Sequence, residues 1–352
     1  MKALSSCLAL LAALSFVRVD AAEPVLAVYD NDFFGPTSAD ILPLIGNPEV
    51  RLLGITVVTG DSWRDEGAAY VLRSLELYHR TDIPVHLGAV FPLVNSEART
   101  RAWERSYGKF AWKGAWNPPE MGANFHATEP YKVPALEEGP PSVASAKEGA
   151  VQFLIRAVHE HPHQVVVIAA GPLTNLALAQ RLDPEFAGLA KELVFMGALI
   201  GTNLGQVTGS ADFNSDFNIT FDPEAAHIVL TAPWAKITAV GNVSNDTLMI
   251  DPIYQQLIAG PPPVAPVLAR HPWKLPMWDE LTTALAVNPG LVVTEVEAYM
   301  DVDIDHGLNY GIVHVWPEET HPGLGERRVT IVLAIDKPAF YRQFVKAAQS
   351  VR

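Results

Sequence analysis

Short runs of β-branched and apolar residues recur along this chain, separated by longer amphipathic stretches. The pattern predicts strands at residues 25–30, 51–58, 164–169, 192–196, 236–241, 293–300 and 328–334. It predicts helices near 38–46, 64–79, 143–161, 172–182, 222–231, 252–259, 279–287 and 338–349. Strand and helix in alternation at this spacing imply an α/β fold, with a mostly parallel central sheet and helices on both faces. In such a sheet the loops leaving the carboxyl ends of the strands build the site. Polar clusters that begin where a strand should end are therefore the places to look for chemistry.

The first residues stand apart from this pattern. "MKALSSCLALLAALSFVRVDAAEP" carries Lys2, an apolar run from Cys7 to Val17, and small residues at cleavage spacing before Ala22. The run is shorter than the roughly 20 residues a membrane span needs. Residues 1–22 are therefore expected to be a secretory signal peptide, giving a secreted or periplasmic protein. Residues 23–352 are expected to form a single α/β domain, since this length can bury one large core. Cys7, within the leader, is the only cysteine. Disulfides, cysteine catalysis and thiolate zinc sites are thereby excluded from the mature protein. The formal charge of −14 argues against nucleic acid as a partner, because phosphate binding needs a cationic surface.

Two segments resist the alternation. Residues 90–142 mix Trp103, Tyr107, Phe110, Trp112 and Trp116 with Arg and Lys. A loop this long inside a domain tends to serve function, and this one reads as a lid laying aromatic rings over a pocket. "AGPPPVAPVLARHPWKLP" (259–276) reads as a rigid spacer. His159, His161 and His163 alternate at a helix end, a setting for solvated capping and not for a zinc shell.

"VLAVYDNDFFGPTSADILPLI" places Asp30, Asp32 and Asp40 around one loop after the first strand. Like charges so close need a cation or a proton between them. An EF-hand calcium loop fails, because Phe34 and Ile41 stand where oxygen ligands are required. Three readings stay open on these residues alone. Asp30 could be the nucleophile of a phosphatase. Asp32 and Asp40 could be hard ligands of a metal ion whose water attacks a substrate. The carboxylates could simply cap a turn and a helix.

Further clusters follow later strands: Asp61 in "GITVVTGDSW", the turn in "VVVIAAGPLTNLALAQRLDPEF", the polar run Asn203, Asp212, Asn214, Asp216 and Asn218, and Trp278-Asp279 at a helix start. Taken in order, these blocks resemble the inosine–uridine type nucleoside hydrolase family over residues 25–300, with "AAGPLTNLALAQRLDPE" and "DFNITFDPEAA" similar nearly residue for residue. The resemblance implies a parallel-sheet α/β fold, a bound Ca2+, and hydrolysis of ribonucleosides to base and ribose. It implies that Asp32 touches the calcium and acts as general base. It implies that Asp40, the Ala170 carbonyl and Asp279 complete the metal shell. Asp61, Asp216 and Asn218 match sugar-pocket residues, and Met196 and Asn203 lie where the family lines the sugar site. Trp278 resembles the purine-preferring branch, in which aromatic stacking replaces a histidine acid, and Trp103 is placed like its second stacking ring. The partner is then a small nucleoside, with homo-oligomers suggested by the family.

One departure is visible: Ala39 stands where the family carries a ribose-binding aspartate, with Thr37 or Ser38 as replacements. It motivates a rival reading, a nucleoside- or sugar-binding protein of little or no activity. Turnover against binding alone separates the two.

Overall fold

The computed structural model describes residues 23–117, 127, 129–209 and 215–352. The leader, and Asp212 and Asn214 of the polar run, lie outside the described residues.

Residues Val25–Asn31 form strand β1, buried along nearly its whole length. Such an unbroken buried run suits a strand covered on both faces. The strands that follow are β2 (Val50–Val57), β3 (Val85–Leu87), β4 (Val165–Ala169), β5 (Glu192–Met196), β6 (Ile237–Val240), β7 (Val292–Val302), β8 (Val313–Trp316) and β9 (Arg327–Ile335). Among the described residues they form one sheet in the order β3-β2-β1-β4-β5-β6-β9-β7-β8. Pairing is parallel from β3 across to β9. It turns antiparallel only at β7 and β8. The α/β sheet expected from the sequence is therefore present, with two short strands that periodicity missed. β3 has three residues and β8 has four, and a histidine interrupts the apolar run in each.

The core divides at the sheet. Ala27, Tyr29, Ile55 and Val57 pack on one side with the helices Leu42–Ile45, Arg64–Leu77, Trp278–Val287 and Lys337–Ser350. Val28, Val165, Val167 and Phe195 pack on the other with Ala150–Glu160, Thr174–Leu182 and Pro223–Leu230. Adjacent residues of β1 point to opposite faces, so Tyr29 and Asn31 share one face and Val28 and Asp30 the other.

The chain runs β1-β2-β3 toward one edge, then returns to place β4 on the far side of β1. That reversal makes a crevice at the carboxyl ends of β1 and β4, the position where open α/β sheets bind ligands. Asp32 follows β1 there, and Ala170 follows β4.

Residues 90–142, expected to be a long lid-like loop, hold regular structure among the described residues. They contain the helix Glu97–Tyr107, started by a hydrogen bond from Arg99 N–H to Ser96 Oγ, and a short turn of helix at Gly114–Trp116. The Pro-rich spacer likewise holds a helix, Val264–Arg270. In both places scattered prolines and aromatics hid a short amphipathic turn.

Candidate active site

Asp32 is 3 % exposed and sits over the β1–β4 crevice. Its Oδ2 accepts the Asp61 N–H at 2.7 Å. A Cβ on Gly60 would lie 2.0 Å from that same oxygen. Glycine in "VVTGD" is thus what gives the carboxylate room. Burial, and then the Asp61 carboxylate, push the Asp32 pKa well above the usual range.

Asp40 is the middle residue of a turn of 3-10 helix, Ala39–Ile41. Its Oδ2 accepts the Tyr29 hydroxyl at 2.7 Å and the Asn31 amide at 3.0 Å. It caps no helix: Ser38 holds the N-cap position there, with no side-chain cap bond. Burial raises the Asp40 pKa to about 6. Asp279 comes from the far end of the chain, in the first turn of Trp278–Val287. The Thr283 hydroxyl of that helix donates to the Asp40 carbonyl at 2.8 Å, which docks the helix onto the Asp40 turn. The Asn31 amide then reaches Asp279 Oδ2 at 3.2 Å. Burial, then Asp40 and Asp32, raise the Asp279 pKa well above the normal range. Asp32, Asp40 and Asp279 all line one cavity of about 480 Å³.

Asp30 is not a nucleophile waiting for a phosphate. It is fully buried on the other face of β1, and its Oδ1 accepts from Thr56 and from Asn175 Nδ2, the latter at 2.7 Å. Burial lifts its pKa to about 7. The "GPLTN" block is built around such ties. Asn175 Oδ1 also accepts the Ala89 N–H, and Thr174 donates to Asp222 at 2.6 Å. Asp222 in turn caps the helix Pro223–Leu230.

A second cavity of about 290 Å³ adjoins the first, sharing Phe34, Asp61, Leu275, Trp278 and Asp279 with it. Its floor holds Ala170, Met196, Asp216 and Asn218. Asn218 Nδ2 donates to the Ala170 carbonyl at 2.9 Å and to the Met196 carbonyl at 3.3 Å. Asp216 Oδ2 accepts the Leu199 N–H at 2.8 Å, while its buried Oδ1 has no partner among the described residues, and burial raises its pKa to about 6. An orphaned carboxylate oxygen on a residue that lines a cleft is a candidate acceptor for a ligand hydroxyl.

Two sequence expectations are corrected by this geometry. Trp103 does not line the cleft. It lies on the helix Glu97–Tyr107, donates its indole N–H to the Gly307 carbonyl at 2.8 Å, and stacks on Phe110 with ring centroids 4.5 Å apart. Trp112 lines the cleft instead, with its indole N–H on Asp61 Oδ1. The 110–117 segment is fixed there because Ala115 N–H bonds the Gly60 carbonyl at 2.8 Å. Gly114, at φ +53°, allows that approach, since a Cβ would lie 2.2 Å from the same oxygen. Asn203 is also displaced: it is exposed on the helix Thr202–Thr208, off both cavities. Ala39 is buried in the core, and the Ser38 hydroxyl is engaged by Ser74 at 3.1 Å, so neither replaces the carboxylate expected at 39.

The arrangement defines a hydrolase-type site: acidic groups gathered under a cleft walled by two indoles, at the switch point of a parallel sheet. The sequence profile described as inosine-uridine preferring nucleoside hydrolase matches residues 28–342, and the chain belongs to that family. It is an N-ribosyl hydrolase that cleaves the N-glycosidic bond of nucleosides. An uncharacterized Schizosaccharomyces pombe protein, C800.11, is 29% identical over 340 residues, covering 90% of this chain and 83% of that one. The pyrimidine-specific ribonucleoside hydrolase RihA of Citrobacter koseri is 28% identical, covering 83% of this chain and 88% of its own. Among solved structures, an inosine-guanosine nucleoside hydrolase superposes with a TM-score of 0.72 at 21% identity, over 92% of this chain and 99% of the other.

Among the described residues, no three His, Cys, Asp or Glu side chains already form a closed ligand group. The gathered donors nevertheless suit a hard cation. The set is carboxylate and carbonyl oxygen only, the preference of calcium. The charged neighbours that act on Asp32 and Asp279 are all carboxylates. Buried like charges of this kind are relieved by a cation or by protons.

Proposed function

We propose that this protein is a calcium-dependent hydrolase with a preference for purine ribonucleosides. The observation that carries the base preference is the pairing of Trp112 and Trp278 on one cleft above Asp216 and Asn218. Asp32, Asp40, Asp279 and the Ala170 carbonyl would hold the cation. When bound, a hard divalent ion positions a water molecule and lowers its pKa.

The chain's own groups do the rest. Cleavage of the N-glycosidic bond builds positive charge on the ribose ring. Asp216 and Asp61 line the cleft and face that charge, where carboxylates favour the transition state over the ground state. Asn218 and Asp216 hold sugar hydroxyls, and the raised proton affinity of Asp216 is lowered when a hydroxyl donates to it. Asp32 takes the proton from the attacking water. Among the described residues, no histidine lines the nucleoside cleft. Two indole faces share the positive charge of a base protonated on its ring.

A panel of inosine, guanosine, adenosine, uridine and cytidine, assayed with calcium and with a chelator, tests this reading. Purines should be turned over faster than pyrimidines, and chelation should abolish activity that added calcium restores. Equal rates in chelator would refute the cation, and a faster uridine rate would refute the base preference.

The stacking role has its own check. Base–aromatic stacking contributes about 1–3 kcal/mol per base. Trp112→Ala should therefore lower kcat/KM for inosine by roughly one order of magnitude or more, with a smaller loss for uridine. An equal loss for both bases would mean that Trp112 only packs the 110–117 segment.

A further inference from the structure

Asn31 has no role in the chemistry described so far, yet it sits at the centre of the carboxylates. It ends β1 on the same face as Tyr29 and is 1 % exposed. Its amide nitrogen lies 2.6 Å from Tyr29 Oη, 3.0 Å from Asp40 Oδ2 and 3.2 Å from Asp279 Oδ2. Its Oδ1 accepts the Asp32 N–H at 2.6 Å. That last bond fixes the orientation of the amide, because a flipped group would set N–H against N–H. The Tyr29 hydroxyl gives its own hydrogen to Asp40 at 2.7 Å, so its oxygen is left to accept from Asn31. The amide has two hydrogens for three acceptors. One goes to Tyr29, and the other is shared between Asp40 and Asp279.

We propose that Asn31 is a positioning residue: a neutral spacer that sets the separation of the Asp40 and Asp279 carboxylates and so fits the site to a calcium-sized cation. The proposal rests on the cation reading given above. A carboxylate at position 31 would add repulsion to an already crowded cluster. An aliphatic side chain would leave two carboxylates facing each other with no donor between them. The amide does neither, and it links backbone at 32 to side chains at 40 and 279 through one rigid plane. Magnesium demands oxygens at about 2.0–2.1 Å in near-octahedral order, whereas calcium accepts about 2.3–2.6 Å with looser geometry. A wedge held from behind by Tyr29 resists the tighter closure.

Titration calorimetry on chelator-stripped full-length protein tests this directly, with calcium and magnesium as separate titrants. Asn31→Ala should weaken calcium binding by about 10–100-fold, the usual cost of losing a residue that orients metal ligands. The preference for calcium over magnesium should shrink with it. A merely structural role would lower the Tm while leaving the calcium-to-magnesium ratio at the wild-type value, and that result overturns the proposal. If the wild type itself binds no calcium, the cation reading has failed, which is a distinct outcome. Should Asn31→Ala not fold in chelator, Asn31→Asp carries the test, being of the same shape with an added charge. It should melt lower than wild type in chelator and show a larger rise in Tm on adding calcium. A rise no larger than that of wild type would equally overturn the spacer role.

Discussion

Replacing Asp32 by Asn should reduce kcat on the best nucleoside by about 10²–10⁴-fold, the range expected when a positioned general base is lost. The substitution keeps the shape of the side chain, and an amide oxygen can still accept the Asp61 N–H that now bonds Asp32 Oδ2 at 2.7 Å. The fold should therefore survive, with a near-ultraviolet circular dichroism spectrum like that of wild type. At saturating calcium, KM for the nucleoside should change far less than kcat, because the lost carboxylate acts on the reacting water and the cation and not on the sugar or base. Asp216→Asn should do the reverse in part, raising KM, since Asp216 lines the cleft and its Oδ1 has no partner among the described residues. If Asp32→Asn retained a tenth or more of wild-type kcat, another group would have to be the base.

The second large effect is on stability, and its sign is set by the buried carboxylates. In unfolded chains Asp titrates near 3.9. In the folded protein Asp30 is raised to about 7, and Asp40 and Asp216 to about 6, each chiefly by burial. Between those values the native state holds more protons than the unfolded chain. Stability therefore falls as pH rises through that window and levels off above it. Each displaced pKa unit corresponds to about 1.4 kcal/mol. In chelator, the Tm should be highest near the acid end of the native range and should drop steadily from pH 5 to pH 8. Added calcium should reverse part of this, because a cation at Asp40, Asp32 and Asp279 would favour their ionised forms. The gap between melting curves with and without calcium should widen with pH. Parallel curves across that range would show that the carboxylates do not share a cation. Glu280, raised to about 8 by burial and by Asp40, extends the window upward.

The central sheet was legible because its inner strands are buried, largely apolar runs. The placing of Asp32, Asp61, Ala170 and Asp279 on one edge followed from each standing just beyond a strand or at a helix start. Parallel topology puts those ends on the same side. β3 and β8 escaped notice because each is a short run interrupted by a histidine, VHL and VHVW, unlike the comparably short β6. Trp103 was misplaced for a different reason. Several aromatic residues lie within residues 90–142, and nothing local distinguishes the one that meets a ligand from those that pack a helix. The choice of Trp112 is made by contacts that link Gly114 and Ala115 to Gly60, more than fifty positions away in sequence.

Sequence alone determined the kind of sheet, the edge at which polar groups gather, and the oxygen-only character of their donors, because strand ends and residue types are local properties. Tertiary structure alone decided which indole faces the cleft, that Asp30 lies beneath the site, and that one amide at Asn31 spans Asp40 and Asp279. Those are distances between side chains brought together from opposite ends of the chain. Such distances depend on how the helix Trp278–Val287 docks against the Asp40 turn, which no short window of residues encodes.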